Sequence, residues 1–399
     1  MTTTRWKIGL AIALTSISMA IRLSGDKTAP GLAVVAFGVG IVAVSFLLAW
    51  GAEVAQLDVS ASLATAALAL VAVLPEYAVD LYFAFTAGHR PSYGAYAAAN
   101  MTGSNRLLIG VGWPLVAVLF AVWARRTGRA ERSISLRPRR RVEIAFLGLA
   151  SLYAFVIPLK GSLGLMDAGV FLGLFAAYLF RTSRQESEEP DLSGVSADLA
   201  KLPPTARRAT VVGFFVFAAV YVALVAKPFA DALIDSGRAL GMDEFLLVQW
   251  VAPLASEAPE LLVAGILASR GNDDTALGTL LSSKVNQWTM LVGSLPLAYL
   301  AGGGHGSLVL NGRQVEEFLL TAAQALFAVS VLLRLRFRAR EAAIIFVTFA
   351  LQLVLPSTAV RLWLAAGYVV LAVVLFAVEV RQIIPTFRGA FQAVDEDPV

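Results

Sequence analysis

Two acidic residues lie next to prolines inside otherwise apolar stretches of the chain. Glu76 follows Pro75 in "VAVLPEYAVDLYFAF", and Glu260 follows Pro259 in "PLASEAPELLVAGIL". A charged side chain at the centre of a bilayer costs roughly 2.5–3.5 kcal/mol or more, so an acid in such a stretch indicates a function. Proline removes one backbone donor and frees a carbonyl of the preceding turn. Each stretch therefore predicts an opened helix whose carboxylate and freed carbonyl ligate a cation.

A second polar motif follows each Pro-Glu pair. "TGSN" ends at Asn105 and "DTALGTLLSSK" ends at Lys284, with a shorter connecting loop in the second copy. Aligning the Pro-Glu pairs also aligns Asn105 with Lys284 and Ser104 with Ser283. Small residues at four-residue spacing let such helices approach each other closely. One acid or one proline alone could be a structural partner or a kink, but the repetition favours a functional site.

Further polar residues lie beside these motifs. Asp80 is one helical turn beyond Glu76, and Ser256 and Glu257 come just before the second Pro-Glu pair. Arg106 follows "TGSN" directly. Three placements are open for this arginine: it snorkels to the outer surface, pairs with Asp80, or lies beside the path of a cation.

The remaining sequence predicts the helices that position these residues. The chain has 399 residues, 58% of them hydrophobic and 15% charged, whereas soluble globular chains are roughly 45–50% apolar and about 25% charged. A membrane-spanning helix needs ~20 mostly apolar residues. The apolar runs predict twelve spanning helices, near residues 8–22, 30–50, 60–87, 94–123, 142–158, 164–181, 209–227, 243–269, 275–301, 315–334, 341–356 and 360–380.

The basic residues indicate how the chain is oriented. With twelve spans and a cytoplasmic N-terminus, "RRTGRAERSISLRPRRR" and "RLRFRAR" both fall on the cytoplasmic side, as the positive-inside rule requires. Both termini are then cytoplasmic, and the compact loops favour a bacterial inner membrane. The net charge of +4 does not indicate a nucleic-acid partner, because the arginines lie between apolar runs without a recognition module. The first 23 residues fit either a retained helix, which we favour, or a cleaved signal peptide.

The sequence divides into two halves that contain one inverted repeat each. The third span runs outward and the eighth runs inward, an arrangement typical of secondary transporters. The polar segment between the halves has too little apolar surface to fold alone. The predicted organisation is a first half at 1–182 with repeat one at about 60–123, a cytoplasmic linker at 183–208, a second half at 209–382 with repeat two at about 243–301, and a tail at 383–399.

Some kinds of site are excluded by composition. The chain contains no cysteine, so a disulfide, a thiolate nucleophile and a cysteine-ligated zinc site are all excluded. Its two histidines, His89 and His305, fall in short connections that contain glycine. We assign them no role.

The two repeat regions resemble the sodium/calcium exchanger superfamily of cation antiporters. "LPE" and "TGSN" are similar to that family's first repeat, and "SEAPE" and "DTALGTLLSSK" are similar to its second. The resemblance implies an all-α polytopic membrane protein with a five-plus-five inverted core. One extra helix at each end brings the total to about 12 transmembrane helices.

The resemblance also implies roles for individual residues. Glu76 and Glu260 would be the principal cation-binding carboxylates, and Asn105 would supply an amide oxygen. Ser104 and Ser283 are possible helpers. The expectation is that these polar side chains meet around the cation.

The second repeat departs from the family pattern. Ser256 keeps one of its hydroxyls, but Glu257 replaces the other and joins the predicted ligands. Lys284 stands where the family has an amide or an acid, and Asp80 is an additional acid that we count as a helper. Calcium takes about 6–8 oxygen ligands, so lost hydroxyls and a nearby ammonium should weaken a calcium site.

Lys284 suggests how such a site can be coupled to protons. We expect its ammonium to pair with Glu257 or Glu260 when the site is empty, and to be displaced or deprotonated when a metal ion enters. The alternative is that Lys284 snorkels to the inner surface. The sequence leaves both placements open.

The favoured function is secondary antiport by alternating access. The protein would move calcium or sodium in exchange for protons or sodium, with the lipid bilayer and small inorganic cations as its partners and without a resident cofactor. One alternative is a magnesium-dependent membrane enzyme acting on prenyl or phosphate esters, for which "GNDD" at 271–274 gives a weak motif. Another is a scaffold that has lost transport.

Overall fold

A computed structural model describes residues 2–24, 28–58, 74–184, 192, 194–355 and 357–391. This part of the chain is almost entirely helical, as predicted, because helices satisfy their own backbone groups where no water is available. The helices of the first half are α1 (Thr2–Ser24), α2 (Pro30–Ala55), α3 (Leu74–Ala87), α4 (Tyr93–Leu107), α5 (Trp113–Arg126), α6 (Arg141–Ala154), α7 (Val156–Lys160) and α8 (Leu165–Thr182). Those that follow are α9 (Val195–Ala200), α10 (Pro204–Leu240), α11 (Glu244–Ser269), α12 (Asp273–Asn286), α13 (Val292–Ala301), α14 (Gly312–Leu332), α15 (Ala339–Val354), α16 (Thr358–Val378) and α17 (Val380–Phe391).

Within the described ranges, nine helical runs are long and apolar enough to cross a membrane. They are α1, α2, α4 with α5, α6 with α7 and the turn before it, α8, α10, α11, α14 and α16. The span predicted at 60–87 lies partly outside the described residues. The spans predicted at 275–301 and 341–356 form helices, namely α12 with α13 and α15, that are not among the nine. The total of twelve stays a prediction.

The chain forms two compact units, and each draws on both halves of the sequence. The first unit comprises residues 1–83 and 182–259, and the second comprises residues 84–181 and 260–399. The division into halves at 1–182 and 209–382, each with an inverted repeat, stays a prediction.

The core of the first unit joins α1, α2 and α10. Leu47 and Val54 of α2 lie in one apolar cluster with Phe214 of α10. The Ser18 and Tyr221 hydroxyls are 2.6 Å apart. Part of the predicted linker is packed, because α9 places Val195 and Leu199 in this same cluster.

The second unit contains α4 and α12, the helices with the polar motifs that follow the two Pro-Glu pairs. In its centre, α14 is buried over most of its length and packs against α4, α6 and α16. Two short antiparallel ladders join its loops. Strand β1 (Ile134–Ser135) pairs with β4 (Arg336–Phe337), and β2 (Ser162–Leu163) pairs with β3 (Leu308–Val309).

Candidate functional site

Two buried acids lie on α3 in the first unit. Glu76 is 5% exposed and Asp80 is completely buried. Residues four positions apart lie on one face of a helix, so α3 presents both carboxylates on the same side. Both acids are thus buried, and their role as cation ligands stays a prediction.

The second Pro-Glu motif lies on α11, which stays helical through Pro253 and Pro259. The expectation that proline opens this helix is therefore wrong. Pro259 still removes a donor, and the carbonyl of Ala255 loses its partner one turn earlier. The Ser256 hydroxyl donates to the carbonyls of Ala252 and Pro253, both at 3.3 Å.

The acids of α11 differ in burial. Glu257 is 1% exposed, and Glu260 is half-buried. Glu257, which the family pattern did not supply, is therefore the more deeply buried of the two.

The second unit brings Asn105 of α4 together with Lys284 of α12. The Lys284 ammonium donates to the Asn105 side-chain oxygen Oδ1, and to its backbone carbonyl at 3.0 Å. Lys284 is fully buried, and its Nζ lies 4.7 Å from the ring centroid of Trp288. Snorkelling of Lys284 to the surface is therefore wrong, since the ammonium is bound inside the unit. Pairing of Lys284 with Glu257 or Glu260 stays a prediction.

This contact places a positive charge on the oxygen that the resemblance assigns to a cation. The Asn105 amide is held by its own helix, because Nδ2 donates to the carbonyl of Met101 at 2.8 Å. The amide oxygen is thereby directed at the ammonium. Lys284 occupies this oxygen as a bound cation would.

The backbone has the same feature after Asn105 and after Lys284. A π-helical turn, Leu108–Gly112, begins three residues after Asn105, and a second one, Gln287–Leu291, begins three residues after Lys284. π-Helical turns occur mostly as single turns and are frequent at functional sites. Their equal placement supports the alignment of Asn105 with Lys284.

The predicted helper serines differ in burial. Ser104 is fully buried, and its Oγ makes no hydrogen bond to the residues that the structure describes. Asn100 lies one turn earlier on the same helix. Its buried Oδ1 likewise makes no hydrogen bond to the residues that the structure describes. Ser283 is half-buried. Sequence reasoning missed Asn100, although a lone amide among small residues was a signal.

The side chain of Arg106 forms the centre of a buried ion cluster in the second unit. Its guanidinium forms an ion pair with Glu317 of α14 and donates to Gln352 Oε1 of α15 at 2.6 Å and to the carbonyl of Thr102 at 3.2 Å. Arg106 and Glu317 are each 1% exposed. Outward snorkelling of Arg106 is therefore wrong, and its pairing with Asp80 stays a prediction.

The cluster extends to α16. Arg361 contacts Glu316 at 3.1 Å and Glu317 at 3.7 Å. Sequence reasoning missed these residues. The adjacent acids at the start of an apolar run were a signal, but nothing in the sequence indicated their partners.

The aspartates of "GNDD" bind the arginine-rich segment before α6. Asp273 Oδ2 accepts from the Ser135 backbone N–H at 2.9 Å, and Asp274 accepts from the Arg137 backbone N–H at 2.8 Å and from Arg140 Nη2 at 3.1 Å. The Arg140 guanidinium lies against Gly278, where a Cβ would overlap it. These bonds give both aspartates a structural role in place of the magnesium-binding one.

The environment of Asp274 also shifts its titration. Burial raises its pKa, but Arg140, the Arg137 N–H and Arg139 outweigh burial, and the pKa lies below its ordinary value of 3.8. Asp274 is therefore a carboxylate at neutral pH.

The two histidines and the possible groups of metal ligands complete the description of the site. His89 and His305 lie exposed in connections between elements, as predicted. Nowhere in the described ranges do three or more His, Asp or Glu side chains form a group able to hold a metal ion. The meeting of Glu76, Glu257 and Glu260 around one cation stays a prediction.

Comparison with known proteins gives one family. A profile of the sodium/calcium exchanger protein family matches residues 29–183 and 210–378. The chain is similar to the solved structure of an H+/Ca2+ exchanger, CAX, with 40% identity, a TM-score of 0.91, and coverage of 99% of this chain and 100% of that one. No curated protein sequence matches.

Two more distant structures share the fold. The Ca2+/H+ antiporter protein YfkE has 18% identity and a TM-score of 0.60 over 92% of this chain and 99% of its own. The sodium-calcium exchanger NCX_Mj has 16% identity and a TM-score of 0.52 over 87% of this chain and 99% of its own.

Proposed function

The chain belongs to the sodium/calcium exchanger family and is a secondary cation antiporter, and we propose from this premise that it exchanges calcium for protons. The similar structure at 40% identity is named an H+/Ca2+ exchanger. The buried acids Glu76, Asp80 and Glu257 supply oxygen ligands of the kind that calcium takes. The same carboxylates accept protons when the metal ion leaves, because burial disfavours the charged form of a carboxyl group.

The contact between Lys284 and Asn105 carries the proposal. A fully buried ammonium on the Asn105 amide oxygen competes with any cation for that oxygen. Calcium entry therefore requires Lys284 to move away or to lose its proton. Loss of the Lys284 proton ties the entering ion to a proton that leaves. Displacement of the charged side chain frees the oxygen, and the protons that leave then come from the carboxyl groups.

The mechanism uses two conformations that expose the ligands to opposite sides of the membrane. In the proton-loaded form, the carboxylates are neutral and Lys284 holds Asn105. In the calcium-loaded form, the carboxylates are charged and bind the ion. We assign the cation contacts to Glu76, Asn105, Glu257 and Glu260, with Asp80, Ser104, Ser256 and Ser283 as helpers.

Exchange of sodium for protons is the second candidate, and the same contact favours it. Lys284 is a monovalent cation at Asn105, so a sodium ion can replace it charge for charge. Calcium remains the first candidate because the similar H+/Ca2+ exchanger covers 99% of this chain at 40% identity.

The test is ion flux in proteoliposomes that contain the full-length protein. An outward proton gradient is imposed, and uptake of Ca2+, Na+, K+ and Mn2+ is measured. We expect Ca2+ uptake in the unmodified protein and its loss in Glu76→Gln and in Glu260→Gln. The matched control is Glu131→Gln, in a loop, where the side chain is 43% exposed; its flux should be unchanged.

Each alternative has a distinct outcome. Uptake of Na+ without Ca2+ selects the second candidate. Undiminished flux in either glutamine variant overturns the site assignment. Absence of flux and of cation-induced thermal stabilisation for all four ions indicates a scaffold.

We also propose that both termini lie in the cytoplasm of a bacterial cell, on the basis of the basic loops. Because the chain has no cysteine, single cysteines can be introduced as labels. Ser133→Cys, in the arginine-rich segment, should react with an impermeant maleimide only in inside-out vesicles. Ser92→Cys, between α3 and α4, should react only in right-side-out vesicles, and the reverse pattern overturns the orientation.

A further inference from the structure

A short helix, α17, follows the last long apolar helix directly. α16 ends at Val378 and α17 begins at Val380. The family profile ends at residue 378, before α17, whereas the similar H+/Ca2+ exchanger structure covers 99% of this chain. The role of α17 therefore follows from its own contacts.

One face of α17 is fixed to the start of α6. Arg141 donates to the Thr386 hydroxyl at 2.8 Å and to Gln382 Oε1 at 3.3 Å. Further along, Phe387 reaches Gly148, and the rings of Phe391 and Phe146 lie 6.0 Å apart. The helix is thus held along the first turns of α6.

The opposite face of α17 is exposed and has both apolar and basic residues. Val380 and Ile384 are 56% and 59% exposed. Arg381 and Arg388 are also exposed. Their helical spacing puts these side chains on one side. Apolar residues with flanking arginines on one face are the pattern of a helix that lies in a membrane interface.

The neighbours of α17 place it where the long helices end. Glu379 forms an ion pair with Arg334, just beyond the end of α14, and Arg141 is the first residue of α6. Arg336 of β4 pairs with Ser135 of β1 at the same ends. α17 therefore lies at the ends of these helices, beside other arginines.

We propose that α17 binds anionic phospholipid through its exposed face. Ile384 and Val380 insert between the first carbons of the acyl chains. Arg381 and Arg388 donate to the phosphates of the headgroups, with their stems along the apolar boundary. The binding of this lipid is independent of the transported ion.

Native mass spectrometry of the detergent-purified full-length protein tests this binding. The probe is phosphatidylglycerol, titrated beside phosphatidylcholine of the same chain length and beside sn-glycerol 3-phosphate. The unmodified protein should bind phosphatidylglycerol in preference to both. The double variant Arg381→Gln/Arg388→Gln should bind it roughly thirty-fold more weakly, because each arginine near an anionic surface contributes about 1 kcal/mol.

Two further variants separate the contributions. Ile384→Ser keeps both arginines. It should weaken the binding of phosphatidylglycerol, and the protein should still not prefer phosphatidylcholine. The matched control is Arg22→Gln/Arg90→Gln, which removes two exposed arginines elsewhere and should leave the affinity unchanged.

Three outcomes overturn the proposal. Equal affinity for the two lipids in the unmodified protein removes the headgroup selectivity, and this comparison holds even if a variant does not fold. Binding of glycerol phosphate as tight as that of the lipid assigns the arginines to a soluble phosphate. Equal weakening by the control pair indicates a general charge effect.

Discussion

Helices α4 and α12 have the same backbone plan and opposite chemistry. Each continues into a π-helical turn that begins three residues after the aligned position. At that position α4 has Asn105, an amide, and α12 has Lys284, an ammonium that donates to it. One copy of the motif thus supplies a ligand for a cation, and the other supplies the cation.

The next position along the two helices differs as well. Arg106 is tied by an ion pair to Glu317 of α14, whereas the aligned residue of α12 is the buried apolar Val285. The amide is therefore on a turn that is held from several sides, while the lysine is on a turn without such an anchor at that position. The two aligned positions therefore differ in their anchoring, because an ion-paired arginine follows the amide and an apolar residue follows the lysine.

The largest expected effect comes from making the two positions alike. Asn105→Lys places two ammoniums together in a buried site, and exchange should fall by roughly 100-fold or more. The swap Asn105→Lys/Lys284→Asn restores an amide and an ammonium and should recover part of the flux. The measurement is proteoliposome flux. A swap no better than the single variant contradicts the pairing.

Removing the anchor of α4 should destabilise the protein. Arg106→Gln leaves Glu317 buried beside a more distant Arg361, and unfolding free energy should fall by about 3 kcal/mol. Denaturant titration in mixed micelles measures it, with the exposed Arg90→Gln as the control. The loss in Arg106→Gln/Glu317→Gln should be smaller than the sum of the single losses. Strict additivity would mean that the two residues do not interact.

The π-helical turns themselves can be compared. A Cβ on Gly110 would overlap Phe349, whereas the aligned Thr289 already has a side chain. Gly110→Ala should cost about 2 kcal/mol of stability through overpacking. Thr289→Ala should cost about 1 kcal/mol, the value of its hydrogen bond to Val285. Phe349→Leu should relieve the alanine variant, and absence of relief would point to another cause.

The first turns of the two helices differ in charge. Asp274 binds the arginine segment before α6, whereas the aligned residue on α4 is Ala95. Because the pKa of Asp274 is lowered from 3.8, its contribution is complete at neutral pH and declines as the pH falls through 3.8 and below. Asp274→Asn should cost about 1.5 kcal/mol at pH 7. Thermal unfolding against pH should show the two proteins converging in acid, and a constant difference contradicts this assignment.

The sequence predicted the elements better than their partners. Apolar runs, the Pro-Glu pairs and the basic loops were sufficient for an all-helical membrane protein of the exchanger family, which the comparisons confirm. The alignment of Asn105 with Lys284 came from spacing alone, and the equal π-helical turns agree with it.

The partners escaped prediction for physical reasons. Hydropathy gives the depth of a residue in the membrane but not the direction of its side chain around the helix axis. Snorkelling of Lys284 to the surface was therefore compatible with the sequence. The ion pair of Arg106 with Glu317 joins helices that are distant in sequence, and no local pattern indicates it. The helix α9 was missed because only two apolar residues, Val195 and Leu199, anchor it.

The central claim is that Lys284 is a built-in cation that the transported ion must replace. The most direct measurement is the apparent KM for Ca2+ between about pH 6 and 8 in proteoliposomes, for the unmodified protein and for Lys284→Met. Without the ammonium, Ca2+ no longer competes with it for Asn105, so the KM should fall and its dependence on pH should become shallower. Parallel pH curves for the two proteins would contradict the claim.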